Sequence, residues 1–495
     1  MRHFAQTIAR TFAIAAITFC SIAAADDYGL PSIGQSADNV LSPAQEKQIG
    51  QRVVSQLLQR GFIEEDPEIT EYINRIGWRL ASRTDRAPSD FNFYLIDDTG
   101  INAFALPGGY IGINAGLIME ADNESQLAGV TAHEIAHVTQ RHIARQIEAT
   151  QGLTWVTAAA ALLAIIAGGG NPAVIQAAIT LGAANIGQQQ INFTRTHELE
   201  ADRLGIRTLA AASYDPNGMA GFFEHLEKRT RLYGNRPPEI LLTHPISTTR
   251  ISEAESRARN YRDVKIREYD DFEVMRARTR VLSTNQPSEI VRFYEEQLKQ
   301  DEDNPALLYG HALALVRVGR AKAAVETLRT LNEIDTNHPH FALALADARE
   351  ANGDVDGALT TLSRIEAKYP TYRPLILAYA KALIDNGQAG NARAYLLKKS
   401  NLLANDDQTQ RLLALAADQL DRAAEAHYRQ AEYFHIRGEY AASVHQLQSA
   451  LALPDISSQD KSRVIAALSR YRKQCEAQYS ERDCRESVER VIGRR

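Results

Sequence analysis

A period constrains this chain more than any other feature. Gly319, Gly353 and Gly387 stand 34 residues apart, Ala324, Ala358 and Ala392 follow them by five places, and Ala312, Ala346 and Ala380 precede them by seven. Small residues at fixed offsets in a 34-residue period describe pairs of antiparallel helices that pack closely, turn at the glycine and stack on the next pair. One such pair cannot bury its apolar face alone, so the chain from about Asp271 onward is expected to form a solenoid whose concave groove binds peptides or helices of a partner; the alternative is a stabilising cap on the residues ahead of it. Gly438 follows Gly387 by 51 residues, one and a half periods, which fits one extra or degenerate helix between them.

The residues ahead of the repeats are numerous enough for a core of their own. A net charge of -6, from 55 basic and 61 acidic residues, gives no electrostatic case for nucleic acid as a partner. Arg2, His3 and Arg10 precede an uncharged run from Thr11 to Ala25, the pattern of a secretory signal peptide at residues 1–25. Cys20 leaves a lipoprotein alternative, but Phe19 stands where lipid attachment wants a small residue. With the signal removed, Cys475 and Cys484 are the only cysteines. In an oxidising compartment they are expected to form a disulfide stapling the C-terminal helices; two buried thiols are the alternative.

The chemistry is concentrated in His133-Glu134-Ile135-Ala136-His137, expected on a helix running from about Glu124 to Glu148 with Asn123 and Gln126 capping its start. Histidines four apart leave one helix face a turn apart. Two neutral imidazoles there can hold one Zn²⁺ and leave room for a third ligand and a water. Glu134, not itself a ligand, is the general base and then the general acid of peptide hydrolysis. The bland alternative is an exposed helix with two unrelated histidines. His142 is read as a surface or supporting residue. A third motif histidine is excluded, because Gln140 and Ile143 occupy the places where that scheme needs glycine and histidine. A second helix, expected to begin at Arg195, puts Glu198 and Asp202 on one face and Glu200 on the opposite side. Glu198 is the candidate third ligand, and Asp202 can accept a hydrogen bond from the far nitrogen of a ligand histidine.

Helices are expected over Pro43–Arg60 and Pro67–Arg83, then a strand around Phe91–Leu95 and two extended pieces joined at Pro107-Gly108-Gly109, giving a small antiparallel sheet. Between Glu148 and Arg195 lie 46 residues without charge or histidine. Residues 153–190 within them are expected to form an apolar helical hairpin, each half shorter than the roughly 20 residues needed to span a bilayer. It either makes peripheral contact with a membrane or apolar partner, or is an ordinary buried hairpin.

Taken together, the zinc motif, Asn102-Ala103-Phe104-Ala105 with the glycine turn, and Glu198-x-x-x-Asp202 resemble the HtpX and CAAX-prenyl-protease family of zinc metallopeptidases over about residues 43–260. The chain differs from the integral-membrane members in lacking long transmembrane helices, which argues against a membrane-embedded prenyl-protein substrate. Leu242-Thr243-His244-Pro245 with Arg250 is similar to a segment of the soluble periplasmic BepA-type branch, which carries C-terminal tetratricopeptide repeats. The resemblance implies that Glu198 completes the metal site, that the strand Asn102–Ala105 borders the cleft and accepts an unfolded segment as an added strand, and that the loop of His244 and Arg250 lies near the metal. His244 either fills the open zinc position or is a loop histidine fixed by Pro245.

The expected architecture is an α+β, mainly α, zincin metalloprotease domain followed by an all-α tetratricopeptide-repeat solenoid. Its boundaries are 1–25 signal, 26–265 peptidase, 266–303 helical linker and 304–495 repeats. The resemblance further implies a zinc endopeptidase in the periplasm of a Gram-negative bacterium. It would act on unfolded or stalled outer-membrane proteins and meet the β-barrel assembly machinery through its repeat groove. The alternative is an assembly scaffold or chaperone with little proteolysis.

Overall fold

Pro43 begins helix α1 (Pro43–Gln59), where a missing amide is harmless, and Ile49, Val53, Val54 and Leu57 bury one stripe of it before Gly61, at φ +72°, ends the run. Helix α2 (Pro67–Ala81) starts likewise, with Asp66 accepting from the amides of Glu68 and Ile69 at 3.1 and 3.0 Å. The computed structural model describes residues 41–149, 188–233, 238–267, 271–479 and Cys484. The expected signal peptide lies outside these residues, as does the expected hairpin 153–190 apart from its last three residues.

Four strands, β1 (Ile63–Glu64), β2 (Asn92–Ile96), β3 (Ala103–Leu106) and β4 (Tyr110–Asn114), form one sheet in the order β1-β2-β4-β3. The β3–β4 turn uses Gly108 and Gly109 at φ +83° and +90°, and a Cβ on Gly109 would meet the Asp90 carbonyl oxygen at 2.0 Å. The sheet is mixed, not antiparallel as expected: β2 and β4 run parallel from Asn92 opposite Tyr110 to Ile96 opposite Asn114. After β2 the chain crosses to the far edge before turning back, so β4 enters between β2 and β3 and must run with β2. That path leaves β3 as an edge strand.

After α3 (Ala115–Glu120), Asn123 caps α4 (Glu124–Thr139) by accepting from the Gln126 amide at 3.0 Å, while Gln126 Oε1 accepts from the Asp122 amide at 2.9 Å. The expected single helix to Glu148 is two. Arg141 is left-handed at φ +52° with its guanidinium 3.1 Å from the buried Glu46 carboxylate, and α5 (His142–Ala149) starts beyond it. Helix α6 (Gln188–Ala211) begins earlier than expected, because no glycine or proline separates Gln188 from Arg195. Helices α7 (Gly218–Tyr233) and α8 (Thr248–Ala258) follow. Helix α4 packs on α2, α6, α7 and β3, which makes it the centre of this region.

The rest is an α-helical array: α9 (Asp271–Leu282), α10 (Pro287–Leu298), α11 (Pro305–Arg317), α12 (Ala321–Ile334), α13 (Pro339–Ala351), α14 (Val355–Glu366), α15 (Arg373–Asp385), α16 (Ala389–Lys398), α17 (Asp407–Asp418), α18 (Ala423–Ile436), α19 (Tyr440–Leu451) and α20 (Ser458–Tyr479). Gly319, Gly353, Gly387 and Gly438 all have positive φ, from +71° to +83°, at turns between helices. The degenerate turn is Asp421, 34 residues after Gly387 and also left-handed at φ +57°.

A continuous core runs from Ile69, Phe93 and Leu127 through Ile206 to Met275, Tyr294, Tyr309 and Phe341, so the first repeats share apolar packing with the region ahead of them. Across that seam Arg278 forks onto Asp66 at 2.8 and 2.7 Å and donates to the Tyr309 hydroxyl at 3.0 Å. The far end of the array also returns to the start of the chain: Gln51 donates to the Tyr440 hydroxyl at 2.9 Å, and Arg437 pairs with Glu65 and Asp407. Cys475 and Cys484 are disulfide-bonded, with Cα atoms 5.6 Å apart. Among the described residues no helix is long and apolar enough to cross a membrane.

Candidate metal centre

Two helices and one loop converge on a point. Helix α4 presents His133 and His137 with their Nε2 atoms 3.0 Å apart. Helix α6 brings Glu198, one oxygen 3.4 Å from His133 Nε2 and the other 3.4 Å from His137 Nε2. The loop before α8 contributes His244, whose Nδ1 lies 3.3 Å from His133 Nε2 and 3.1 Å from both Glu198 oxygens. Ligands of one tetrahedral zinc ion with bonds of about 2.0–2.1 Å stand roughly 3.3 Å from each other. The four donor atoms, all within 4.8 Å of one another, therefore fit a single ion.

Glu134 lies beside this point. It is 1 % exposed, its Oε1 is 3.6 Å from His244 Nε2, and that oxygen is buried without a hydrogen bond. A buried carboxylate oxygen left unmatched is costly unless a ligand or water completes it.

Arg250, also buried, holds the surroundings. Its guanidinium donates to both Asp202 oxygens at 2.8 Å and to the Pro245 carbonyl at 2.9 Å, and lies 3.0 Å from Glu198. It thus joins α6 to the loop of His244, and Ser247 fixes its helix by accepting from the Arg250 amide at 3.2 Å. The same loop is tied to the sheet, since the Ile240 amide donates to the Ile101 carbonyl at 3.1 Å just before β3. Asp202 Oδ1 is 2.9 Å from His133 Nδ1. Asn102 is buried ahead of β3, Ala103 and Ala105 are buried within it, and half-buried Phe104 covers Gly112 of β4.

The electrostatics favour a cation. Burial alone would lower the His133 pKa, but Asp202 and Glu198 overcome it and push it up to about 10. Burial and the neighbouring His133 hold His137 down to about 3 despite Glu198. Burial raises the Glu198 carboxyl, yet His244, His133 and His137 together hold it well below the ordinary range. Asp202 is lowered by Arg250 and His133 against burial. A metal ion among these donors would satisfy the Glu198 carboxylate and the imidazole nitrogens together.

Every residue singled out around the zinc motif is thus brought together: His133, Glu134, His137, Glu198, Asp202, His244 and Arg250. His142 is not on the surface; it is buried against His137. Sequence reasoning missed the Arg141–Glu46 pair and the partner of Glu200, which lies 3.3 Å from His142. Nothing in the sequence marks the helix break that creates both contacts, since Gln140 and Arg141 are ordinary helix formers.

Comparison with known proteins agrees with this geometry. Residues 67–258 match the family described as Peptidase family M48, and residues 282–348 match a Tetratricopeptide repeat family. Beta-barrel assembly-enhancing protease of Escherichia coli (strain K12) is 33% identical over 449 residues, 90% of this chain and 91% of that protein. The Yersinia pestis protein of the same name is 30% identical, covering 90% of this chain and 92% of its own length. Metalloprotease LoiP of Escherichia coli is 30% identical over 47% of this chain and 88% of that protein. The chain belongs to peptidase family M48, and is a zinc metalloendopeptidase with an appended tetratricopeptide-repeat array.

Proposed function

We propose that His133, His137 and Glu198 hold one zinc ion per chain, that Glu134 is the general base and then the general acid, and that His244 is a removable fourth ligand. The observation that carries this reading is the convergence of the four donor atoms with the unmatched Glu134 oxygen beside them. Bound zinc supplies a Lewis acid that polarises the scissile carbonyl and acidifies a water. Glu134 takes the proton from the attacking water and delivers it to the leaving amine. Asp202 orients His133, and Arg250 holds Asp202, Glu198 and the Pro245 carbonyl in register. While His244 stays in place it fills the space that Glu134 must share with water and substrate. Substrate enters as an added strand along Asn102–Ala105, where backbone hydrogen bonds bind without strict sequence preference.

The relatives' name supports a role in outer-membrane β-barrel assembly, and we place that role in the periplasm of a Gram-negative bacterium. There the peptidase (26–265) degrades unfolded or stalled outer-membrane proteins, while the repeats (304–495), joined through 266–303, recruit substrate or assembly machinery. A second reading, an assembly scaffold with little proteolysis, draws support from the close approach of His244 Nδ1 to His133 and Glu198, at 3.3 and 3.1 Å.

The test is zinc content and casein hydrolysis of the parent, Glu134→Gln and His244→Ala side by side. One zinc per chain with slow cleavage is expected for the parent. Glu134→Gln should keep the zinc and lose about 10²–10⁴-fold in rate, and His244→Ala should cleave faster. If all three bind zinc and none cleaves, the scaffold reading takes its place, and Glu134→Gln should then support barrel assembly as well as the parent does.

A further inference from the structure

The two motif histidines are backed differently. His133 Nδ1 has the Asp202 carboxylate at 2.9 Å, whereas the neighbour of His137 Nδ1 is another imidazole, His142 Nδ1, also at 2.9 Å. His142 is 3 % exposed, and its other nitrogen, Nε2, lies 3.3 Å from Glu200 Oε2. Arg145 donates to the same Glu200 oxygen at 3.1 Å. The His197 ring stacks on His142 with centroids 4.1 Å and planes 9° apart.

This arrangement requires the helix break. In an unbroken helix a residue five places after His137 is turned about 140° away from it. The left-handed Arg141, held by Glu46, redirects the chain so that His142 returns against His137.

The proton positions follow from the donor inventory. A neutral imidazole has one proton. When His137 turns Nε2 toward a cation its proton is on Nδ1, which donates to His142 Nδ1. His142 then carries its own proton on Nε2 and donates it to Glu200.

We propose that His142 is a positioning residue for His137, linking it to the Glu200–Arg145 pair. Helix α6 thereby orients both motif histidines, His133 directly through Asp202 and His137 through Glu200 and His142. The inference rests on the reading of His137 as a metal ligand.

The test uses the full chain with zinc alone as the probe. Zinc affinity is measured by competition with a chromogenic chelator, and thermal unfolding of the zinc-free protein is followed in parallel. His142→Phe keeps a flat ring against His197 but cannot accept a hydrogen bond. It should weaken zinc binding about 10–100-fold while the zinc-free midpoint stays near that of the parent. His142→Asn, whose Oδ1 stands where Nδ1 was, should restore most of the affinity. The proposal is overturned if His142→Phe binds zinc as tightly as the parent, or if its loss tracks a fall in the zinc-free midpoint and Asn restores nothing. His137→Ala separates the two ideas. If it too binds zinc like the parent, the ligand reading falls and the relay with it; if it loses zinc while His142→Phe does not, the relay alone falls.

Discussion

The metal centre and the seam between peptidase and repeats are built on the same device, a buried arginine forked onto an aspartate. At the seam Arg278 grips Asp66, the N-cap of α2, and sits in a continuous apolar core. At the centre Arg250 grips Asp202 and reaches the carbonyl of a loop whose His244 is a candidate ligand. One arginine fastens rigid elements; the other fastens a loop that, if His244 is a removable ligand as proposed, has to move for catalysis. Identical side-chain chemistry thus has different consequences, decided by what lies on the far side of the fork.

Arg278→Met should give the largest effect on stability. Arg278 also lies 2.7 Å from the buried Glu68 carboxylate, so the substitution takes the guanidinium from both Asp66 and Glu68, a loss of about 3–5 kcal/mol, read as the urea midpoint, with zinc stoichiometry unchanged. Asp66 also carries a pH signature. Burial raises its carboxyl, but Arg278 overcomes this and lowers it. Its contribution is therefore fully present above the unfolded value of about 3.9 and is lost as pH falls through the lower folded value. The parent should lose stability in acid more steeply than Arg278→Met, and parallel acid profiles would refute the account.

Arg250→Met should cost less when zinc is bound, about 1–3 kcal/mol, because the metal compensates Glu198. With a chelator present the cost should rise toward that of Arg278→Met. If the loop is the moving part, the variant should also cleave casein faster than the parent. A rate that falls in proportion to zinc content would show instead that Arg250 serves the ligands alone.

The two regions also differed in how much of them the sequence revealed. The repeats were legible because each helix pair solves the same local packing problem with small residues at fixed offsets, Ala312, Ala346 and Ala380 among them. The candidate ligands that the fold brings together were legible because metal chemistry restricts type and spacing. The parallel β2–β4 pairing was not, since strand order depends on the path of the whole chain and not on the alternation within a strand. Nor was the break at Arg141, where a distant carboxylate on α1, Glu46, holds a conformation that local propensity does not suggest.

The fourth repeat turn tests the smallest effect. Ala414 and Ala426 continue the 34-residue offsets, and only the glycine is replaced, by Asp421 at φ +57°. Aspartate is among the few residues that tolerate this conformation, because its side chain can bond locally. A Cβ on Gly387 would meet nothing within 4 Å, so its requirement for glycine is one of backbone angle and not of space. Gly387→Ala should therefore cost about 1–2 kcal/mol, and Asp421→Gly should stabilise by less than about 1 kcal/mol, since relief of strain is offset by a more flexible unfolded chain. Opposite signs at these positions would show that the turn demands only a left-handed residue. A destabilised Asp421→Gly would show that the carboxylate holds the turn itself, and that this repeat replaced backbone freedom with a local bond.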